Sequence, residues 1–234
     1  MTNGIHFGVI LPTWVYDGTR AKLAKNCFTT LRNTNPLPYK VRLIVLAKAS
    51  KVGFDYGKEE DWLDTAFDTT IMAQPGNVNG TEQTLAWGTT KLFDDPNVTH
   101  VVWLGDDAVV NPAWLYALIR LIERHPDAMA WSVYRSAHVK YHAPIREEGD
   151  DIEVRSLCGH GMTISRQKWL DWGINWVHGA WNCPSGDTLD LQYAHVKPGE
   201  RWCTKVSYID HCAKVGVHQQ VGMPEYGLDF AGVQ

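Results

Sequence analysis

The sequence lacks the features that would place it in a membrane or in a secretory pathway. No apolar run reaches the roughly 18 residues that a membrane-spanning helix needs. Residues 1–8 carry no basic segment ahead of their short apolar stretch, so a secretory signal peptide is not predicted. Repeats and low-complexity segments are also absent. We therefore expect a cytoplasmic protein without membrane insertion.

Cysteines are few, and their spacing suggests no pairing. There are five of them, an odd number, and no two are spaced as C-x-x-C. This argues against both a disulfide framework and a zinc ribbon, and it favours buried, reduced thiols. A mixed zinc site stays open as a less favoured alternative, because the spacings match no standard template. Its candidate ligands are His178, Cys183, His195, Cys203, His211 and Cys212.

The composition is that of a globular protein, but the charge is unevenly distributed. With 234 residues, of which 44% are hydrophobic and 21% charged, the chain suits one domain with a substantial core. The net charge is −4, yet residues 1–52 hold eight basic side chains and one acid, Asp17, which leaves −11 on the remainder. The basic end would attract a phosphate-bearing ligand or a nucleic acid. The same basic residues are explained equally well by a solvated helix face and by lysines that keep sheet edges from pairing with other chains.

Apolar periodicity predicts strands that alternate with helices through the first 135 residues. The predicted strands are 6–11, 41–47, 70–73, 98–104 and 129–134. The predicted helices are 19–31, 81–93 and 112–124. This alternation is typical of an α/β fold with a Rossmann-like, mostly parallel central sheet and helices on both faces. In the less regular remainder of the same single domain, 1–234, we predict strand 158–165, helix 166–172, helix 188–196 and strand 205–209.

The sharpest local feature is an apolar strand that ends in two acids, Asp106 and Asp107. Ligands of open α/β sheets bind at the carboxyl ends of strands, where these two acids stand. Adjacent carboxylates repel each other unless a cation or hydrogen-bond donors offset their charge. Divalent cations such as Mg²⁺ or Mn²⁺ take oxygen ligands and are often completed by substrate phosphates. The alternative is an Asx-type turn ahead of the helix at Pro112, with nothing bound.

Four short segments follow one another in an informative order: 8–14, 103–115, 159–166 and 186–191. Together they resemble the motifs of the inverting GT-A glycosyltransferases of the large nucleotide-sugar (family 2-like) group. Those motifs are V-x-V-P-T at the end of the first strand, D-D-D followed by a proline, a G-x-x-x-x-x-R segment, and G-E-D ahead of a helix. Gly105 stands where that family carries the first acid of its triplet. The resemblance spans nearly the whole chain and implies a nucleotide-sugar-binding half, 1–135, and an acceptor-binding half, 136–234.

The resemblance also implies roles at the donor site. Pro12, Thr13 and Trp14, at the end of the first strand, would border the nucleotide base. Asp106 would hold the ribose or the metal, and Asp107 would be a metal ligand. The implied cofactors are Mn²⁺ or Mg²⁺ and a nucleotide-sugar donor, with a UDP-sugar expected first. The metal would bridge the diphosphate and stabilise the leaving nucleotide.

Four residues in the C-terminal half complete the predicted site. An inverting transfer needs a base that deprotonates the acceptor hydroxyl, and we assign this role to Asp187, at the head of a helix whose N-terminus favours the ionised form. An N-cap aspartate without chemistry is the alternative for this residue, and Asp190 is the second candidate for the base. His211 and His218 are candidate metal or phosphate contacts, by resemblance to members that supply a histidine after the last core strand. His160, between two glycines, would face the donor sugar because small neighbours let a substrate approach.

The sequence therefore predicts a metal-dependent inverting glycosyltransferase that moves a sugar from a nucleotide-sugar to a hydroxyl acceptor. The acceptor would be a soluble carbohydrate or peptide, or DNA carrying hydroxymethylated bases, which the basic helix with Lys22 and Lys25 keeps in play. One alternative with the same fold is a non-catalytic nucleotide- or carbohydrate-binding module. Another is a nucleotidyltransferase, which normally has a Gly-rich, Lys/Arg-containing loop after its first strand, and residues 11–18 lack that loop.

Overall fold

The computed structural model describes residues 4–59, 66–76, 80–136, 143–172, 199–212 and 229–231. Its strands are β1 (Phe7–Thr13), β2 (Val41–Ala47), β3 (Phe67–Ala73), β4 (His100–Trp103), β5 (Ala108–Val110), β6 (Ala130–Ser132), β7 (Pro144–Glu148), β8 (Asp151–Val154), β9 (Met162–Ser165), β10 (Arg201–Thr204) and β11 (Ile209–His211). Its helices are α1 (Gly18–Arg32), α2 (Tyr56–Glu59), α3 (Gly80–Phe93), α4 (Trp114–Arg124) and α5 (Arg166–Trp172). None of the helices described is both long and apolar enough to cross a bilayer.

The main structural element is a nine-stranded sheet in the order β3-β2-β1-β4-β9-β6-β10-β8-β7. β3, β2, β1 and β4 run parallel to one another. β9 pairs antiparallel with both β4 and β6, and β8 and β7 close the far edge as an antiparallel pair beyond β10. β5 and β11 form a separate two-stranded antiparallel sheet. The predicted α/β class is confirmed, and β6 and β10 form a further parallel pair within the sheet.

Helices pack on both faces of this sheet. Successive residues of a strand point to opposite faces, so Val9 and Leu11 of β1 belong to one apolar cluster and Ile10 belongs to another. α1 and α4 supply the first cluster with buried residues that include Phe28, Leu31, Leu115 and Leu118. α3 and α5 supply the second with Leu85, Ala86, Leu92, Phe93 and Trp169. The central strands are therefore apolar along their length because both of their faces are covered.

Four of the eleven tryptophans fill the interior of the fold. Trp103, Trp114, Trp131 and Trp202 are all fully buried. Each indole N–H donates a hydrogen bond, and the acceptors are Thr89 Oγ1, Thr34 Oγ1, the His125 carbonyl and Glu200 Oε2 respectively. A buried indole needs such an acceptor for its polar edge. These four tryptophans serve packing.

The first strand was predicted at 6–11, with Pro12 ending it. This is wrong by two residues, since β1 continues through Pro12 to Thr13. The Ile10 carbonyl accepts a hydrogen bond from Leu104 N at 3.0 Å, so the backbone polar groups of Ile10 face β4. Those of Pro12, two residues further on, face the same side. β4 has already ended there, so no neighbouring strand requires the N–H that proline lacks.

Two predicted strands of the C-terminal half are corrected. The strand predicted at 158–165 begins only at Met162, because Gly161 has φ of 72°, a left-handed conformation that interrupts a strand. The strand predicted at 205–209 is wrong: β10 ends before it and β11 begins at its last residue. In this segment Val206 is 40% exposed whereas Ser207 is fully buried, so the apolar residue does not mark the buried face. The predicted helix 188–196 lies outside the described residues.

The close approach of α3 to β1 gives a test of the packing. A Cβ atom added to Gly88 would lie 2.2 Å from Ile10 Cδ1, inside the second cluster. We expect Gly88→Ala to lower the free energy of unfolding by about 1–2 kcal/mol, because overpacking outweighs the better helix propensity of alanine. Gly18→Ala in α1 is the matched control, since nothing lies within 4 Å of its added Cβ. Urea denaturation of both variants measures the difference, and equal stability would contradict this contact.

Candidate functional site

Asp106 and Asp107 follow β4 at the edge of the sheet where β1 also ends. The two strands are parallel neighbours, so their carboxyl ends lie side by side. Asp106 is only 3% exposed. Its Oδ2 accepts hydrogen bonds from Thr13 Oγ1 at 2.8 Å and from Trp14 N at 3.3 Å. The structure therefore joins Asp106 to the two residues that follow Pro12 at the end of β1.

Antiparallel pairing of β4 with β9 brings His160 to the same edge. Gly161 N donates to the Trp103 carbonyl at 2.7 Å, so the chain enters β9 beside the point where β4 ends. His160, one residue earlier, then faces Gly105. A Cβ atom at position 105 would lie 2.5 Å from His160 Cε1 and 2.7 Å from Asp107 Oδ1. Glycine at position 105 thus provides the space that the imidazole occupies.

The small sheet of β5 and β11 places His211. In its register His211 pairs with Ala108, and Cys212 N donates to the Asp107 carbonyl at 2.8 Å. His211 Nε2 lies 3.3 Å from Asp107 Oδ2. The ring centroids of His160 and His211 are 4.3 Å apart. Three strand ends therefore converge on one carboxylate with two imidazoles.

Asp107, His160 and His211 form a cluster that fits a metal ion. One ligand atom from each residue lies within 4.8 Å of the others, and in the described part of the chain this is the one such cluster. His160 Nδ1 is buried without a hydrogen-bond partner. Burial, with a further contribution from His211, lowers the pKa of His160 to about 4, so its ring is neutral at pH 7. A neutral imidazole with an unsatisfied buried nitrogen is suited to ligate a cation.

Arg20, in the first turn of α1, bridges the two acids. Its Nη1 lies 2.8 Å from Asp107 Oδ2, and its Nη2 contacts Asp106 Oδ1. Asp17 caps the helix by accepting a hydrogen bond from Arg20 N at 2.7 Å, which fixes the backbone from which the guanidinium reaches the site. In the sequence, Arg20 stands out only as one of the eight basic residues of 1–52. Its position in the first turn after β1 is the signal that could have placed it at this edge.

The two neighbouring carboxyls differ strongly in pKa. Burial raises the pKa of Asp106 to about 6, against the opposing charge of Arg20. Burial acts in the same direction on Asp107, but the hydrogen bond from His211 and the nearby positive charges hold the pKa of Asp107 well below its usual range. Asp107 is therefore the more readily ionised of the two carboxyls. That property suits a metal ligand.

Trp14 presents an aromatic face beside these acids. Lys48 Nζ lies 4.2 Å and Lys51 Nζ 5.2 Å from its ring centroid, and the Tyr16 ring lies 5.0 Å away. Lys48 N donates to the Thr13 carbonyl at 2.9 Å, so the loop after β2 is tied to the loop after β1. The result is an aromatic ring bordered by positive charge, carried on the loop whose backbone bonds to Asp106.

The predicted site residues thus fall into three groups. Asp107, His160 and His211 come together as possible ligands, and Asp106 lies beside them but bonds to Thr13, Trp14 and Arg20. Pro12 lies in β1 just ahead of them. Asp187 and His218 lie outside the described residues, as do His178, Cys183 and His195 of the alternative zinc site. Cys27, Cys158, Cys203 and Cys212 form no disulfide with one another.

No protein-family model and no curated protein sequence matches this chain. Solved structures do match it. S. aureus TarS 1-349 superposes with a TM-score of 0.61 and 13% identity, over 88% of this chain and 60% of that one. A197 from STIV superposes with a TM-score of 0.50 and 10% identity, over 88% of this chain and 84% of that one. The crystal structure of TarS 1-349 in complex with UDP-GlcNAc matches 55% of this chain and 34% of that chain, at 13% identity and a TM-score of 0.43.

The likeness to TarS 1-349 at a TM-score of 0.61 shows the fold. The chain has the GT-A α/β fold, in agreement with the predicted fold class. It spans about three-fifths of the TarS fragment that it resembles, since 60% of that fragment is covered.

Proposed function

We propose that this chain is a metal-dependent glycosyltransferase that uses a nucleotide-sugar donor. The observation that carries the proposal is the cluster of Asp107, His160 and His211 at the carboxyl edge of a GT-A sheet. Ligands of open α/β sheets bind at this edge. The cluster supplies ligands for a cation, and Trp14, whose backbone N–H bonds to Asp106, would border the base.

The donor atoms of the cluster favour Mn²⁺ over Mg²⁺. Mg²⁺ demands oxygen ligands, whereas two imidazoles with one carboxylate suit a transition-metal dication. When bound, such an ion would neutralise the charge that develops on the departing diphosphate. His160 and His211 would hold it through ring nitrogens, and Asp107 would hold it through a carboxylate oxygen, whose pKa is held below its usual range.

The remaining residues of the site orient the donor. Asp106 holds Thr13 Oγ1 and Trp14 N, which fixes the loop that would border the base. An inverting transfer also requires a base for the acceptor hydroxyl, and Asp187 stays our proposal for this role. In this scheme residues 1–135 bind the nucleotide-sugar and residues 136–234 bind the acceptor.

We propose a UDP-sugar as the first donor to test. TarS 1-349, whose fold this chain shares, has been crystallised in complex with UDP-GlcNAc, and this supports the choice. The acceptor proposed is a hydroxyl compound, with a carbohydrate first. Lys22 and Lys25 are exposed on α1, but no contact in the described structure favours DNA over other acceptors.

Release of free nucleotide tests the proposal. The protein is incubated with UDP-, GDP- and dTDP-sugars in the presence of Mn²⁺, Mg²⁺ or a chelator, and the nucleoside diphosphate is measured. We expect release from at least one donor, faster with Mn²⁺ than with Mg²⁺, and none with the chelator. Donor binding without release would instead support a nucleotide-binding module. Pyrophosphate release from a nucleoside triphosphate and a sugar phosphate would support a nucleotidyltransferase.

A further inference from the structure

We propose that Arg20 is a switchable counter-ion: without metal it neutralises Asp106 and Asp107, and on loading it leaves Asp107 and binds the donor diphosphate. This inference rests on the proposed function, because it concerns the same metal-ligand cluster. It adds a donor-binding residue that the sequence motifs do not contain. The role follows from the carboxylate oxygens that Arg20 contacts in this structure.

Arg20 engages the carboxylate oxygen that a cation would need. Its Nη1 lies 2.8 Å from Asp107 Oδ2, and the same oxygen lies 3.3 Å from His211 Nε2. A metal shared by Asp107 and His211 would sit against this oxygen, so it would compete with the guanidinium for it. Both occupants are positive, and each offsets the repulsion between Asp106 and Asp107. If the metal ion and the Arg20 guanidinium both bound Asp107 Oδ2, two positive charges would be in contact.

The attachment of Arg20 allows such an exchange. Both Nη atoms are engaged with the acids, but the buried Nε has no hydrogen-bond partner, so only the end of the side chain is held. The side chain is 17% exposed, which leaves it a path to solvent. The backbone of Arg20 is held in place by the hydrogen bond from Arg20 N to Asp17 Oδ1, so the exchange involves the side chain alone. The exchange is a rotation of one side chain.

The released guanidinium would meet the phosphates. A diphosphate held through a metal at Asp107 would lie within reach of Arg20, which already contacts Asp107 from the first turn of α1. A planar guanidinium binds phosphate oxygens in a bidentate manner, and this geometry matches a diphosphate better than a single ammonium does. Its Nε–H would gain an acceptor there. Arg20 would therefore oppose binding of the metal alone and favour binding of the metal with the nucleotide.

Two titrations on one set of variants test this opposition. Isothermal titration calorimetry measures the affinity for Mn²⁺ alone, and then the affinity for UDP at saturating Mn²⁺. We expect Arg20→Ala to bind Mn²⁺ about tenfold more tightly, because the guanidinium no longer competes with the ion for Asp107. We expect it to bind UDP about tenfold more weakly, because a charge-assisted contact with the diphosphate is lost. Arg20→Gln, which keeps a polar side chain of similar length, should follow Arg20→Ala. Lys22→Ala removes one positive charge from the exposed face of the same helix and should change neither affinity.

The signs of the two changes separate this inference from the proposed function. Tighter Mn²⁺ with unchanged UDP binding would mean that Arg20 is only a fixed charge near the site, which overturns the switch. Unchanged Mn²⁺ binding in both Arg20 variants would overturn it as well. Absence of Mn²⁺ binding in the wild type and in all variants would overturn the proposed metal site itself. Thermal melting of Arg20→Ala and Arg20→Gln establishes that both titrations report on folded protein.

Discussion

Replacing Asp107 with asparagine is expected to abolish metal-dependent nucleotide release. Asp107 is the one carboxylate in the metal-ligand cluster of the described residues, and its pKa lies well below the usual range because His211 and nearby positive charges stabilise its ionised form. Asparagine keeps the shape but loses this charge. Loss of an outer-shell partner already costs about 10–100-fold in metal affinity, so loss of the carboxylate ligand should weaken Mn²⁺ binding by more than about a hundredfold.

The measurement for Asp107→Asn is Mn²⁺ titration together with the nucleotide-release assay. Asp94→Asn is the matched control, because it removes the same charge from an exposed acid that pairs with Lys91 far from the site. A melting temperature near that of the control would show that the fold survives. If Asp107→Asn still releases nucleotide at the wild-type rate with Mn²⁺, the cation does not act at this carboxylate.

The parallel part of the fold was largely predictable because its signals are local. β2 was predicted at its observed bounds, and the predicted helices 19–31 and 81–93 differ from α1 and α3 by one residue or less at each end. In these segments the spacing of apolar residues indicates the structure. β7 was not predicted because Pro144–Glu148 is exposed along its whole length and so has no apolar periodicity.

The site was predictable only in part, because its members are brought together by pairing over long sequence distances. The two acids after β4 are a local signal, and the sequence analysis found them. Arg20 reaches Asp107 across 87 positions; its place in the first turn after β1 indicates the edge of the sheet but not this partner. His160 reaches the site because β9 pairs antiparallel with β4, and His211 reaches it because β11 pairs with β5. The sequence analysis predicted neither pairing.

Restoring the first acid of the resembled triplet, by Gly105→Asp, is expected to damage the site. The added Cβ would lie 2.5 Å from His160 Cε1 and 2.7 Å from Asp107 Oδ1, so both ligands must move. We expect Mn²⁺ affinity to fall by about tenfold or more, as for displaced ligand partners elsewhere. Gly105→Ala should show most of this loss, since the Cβ alone causes the clash. Gly159→Ala is the control, because nothing lies within 4 Å of its added Cβ.

A double variant identifies the cause of that loss. If His160 occupies the space that an acid at position 105 would need, Gly105→Asp combined with His160→Ala should bind Mn²⁺ more tightly than either single variant. The truncated ring leaves room for the new carboxylate, which replaces the lost imidazole as a ligand. Two substitutions that are each harmful would then compensate each other, a coupling expected only for groups that share one space. Additive losses of Mn²⁺ affinity would instead mean that His160 and position 105 act independently. The space needed by His160 would then not explain the glycine at position 105.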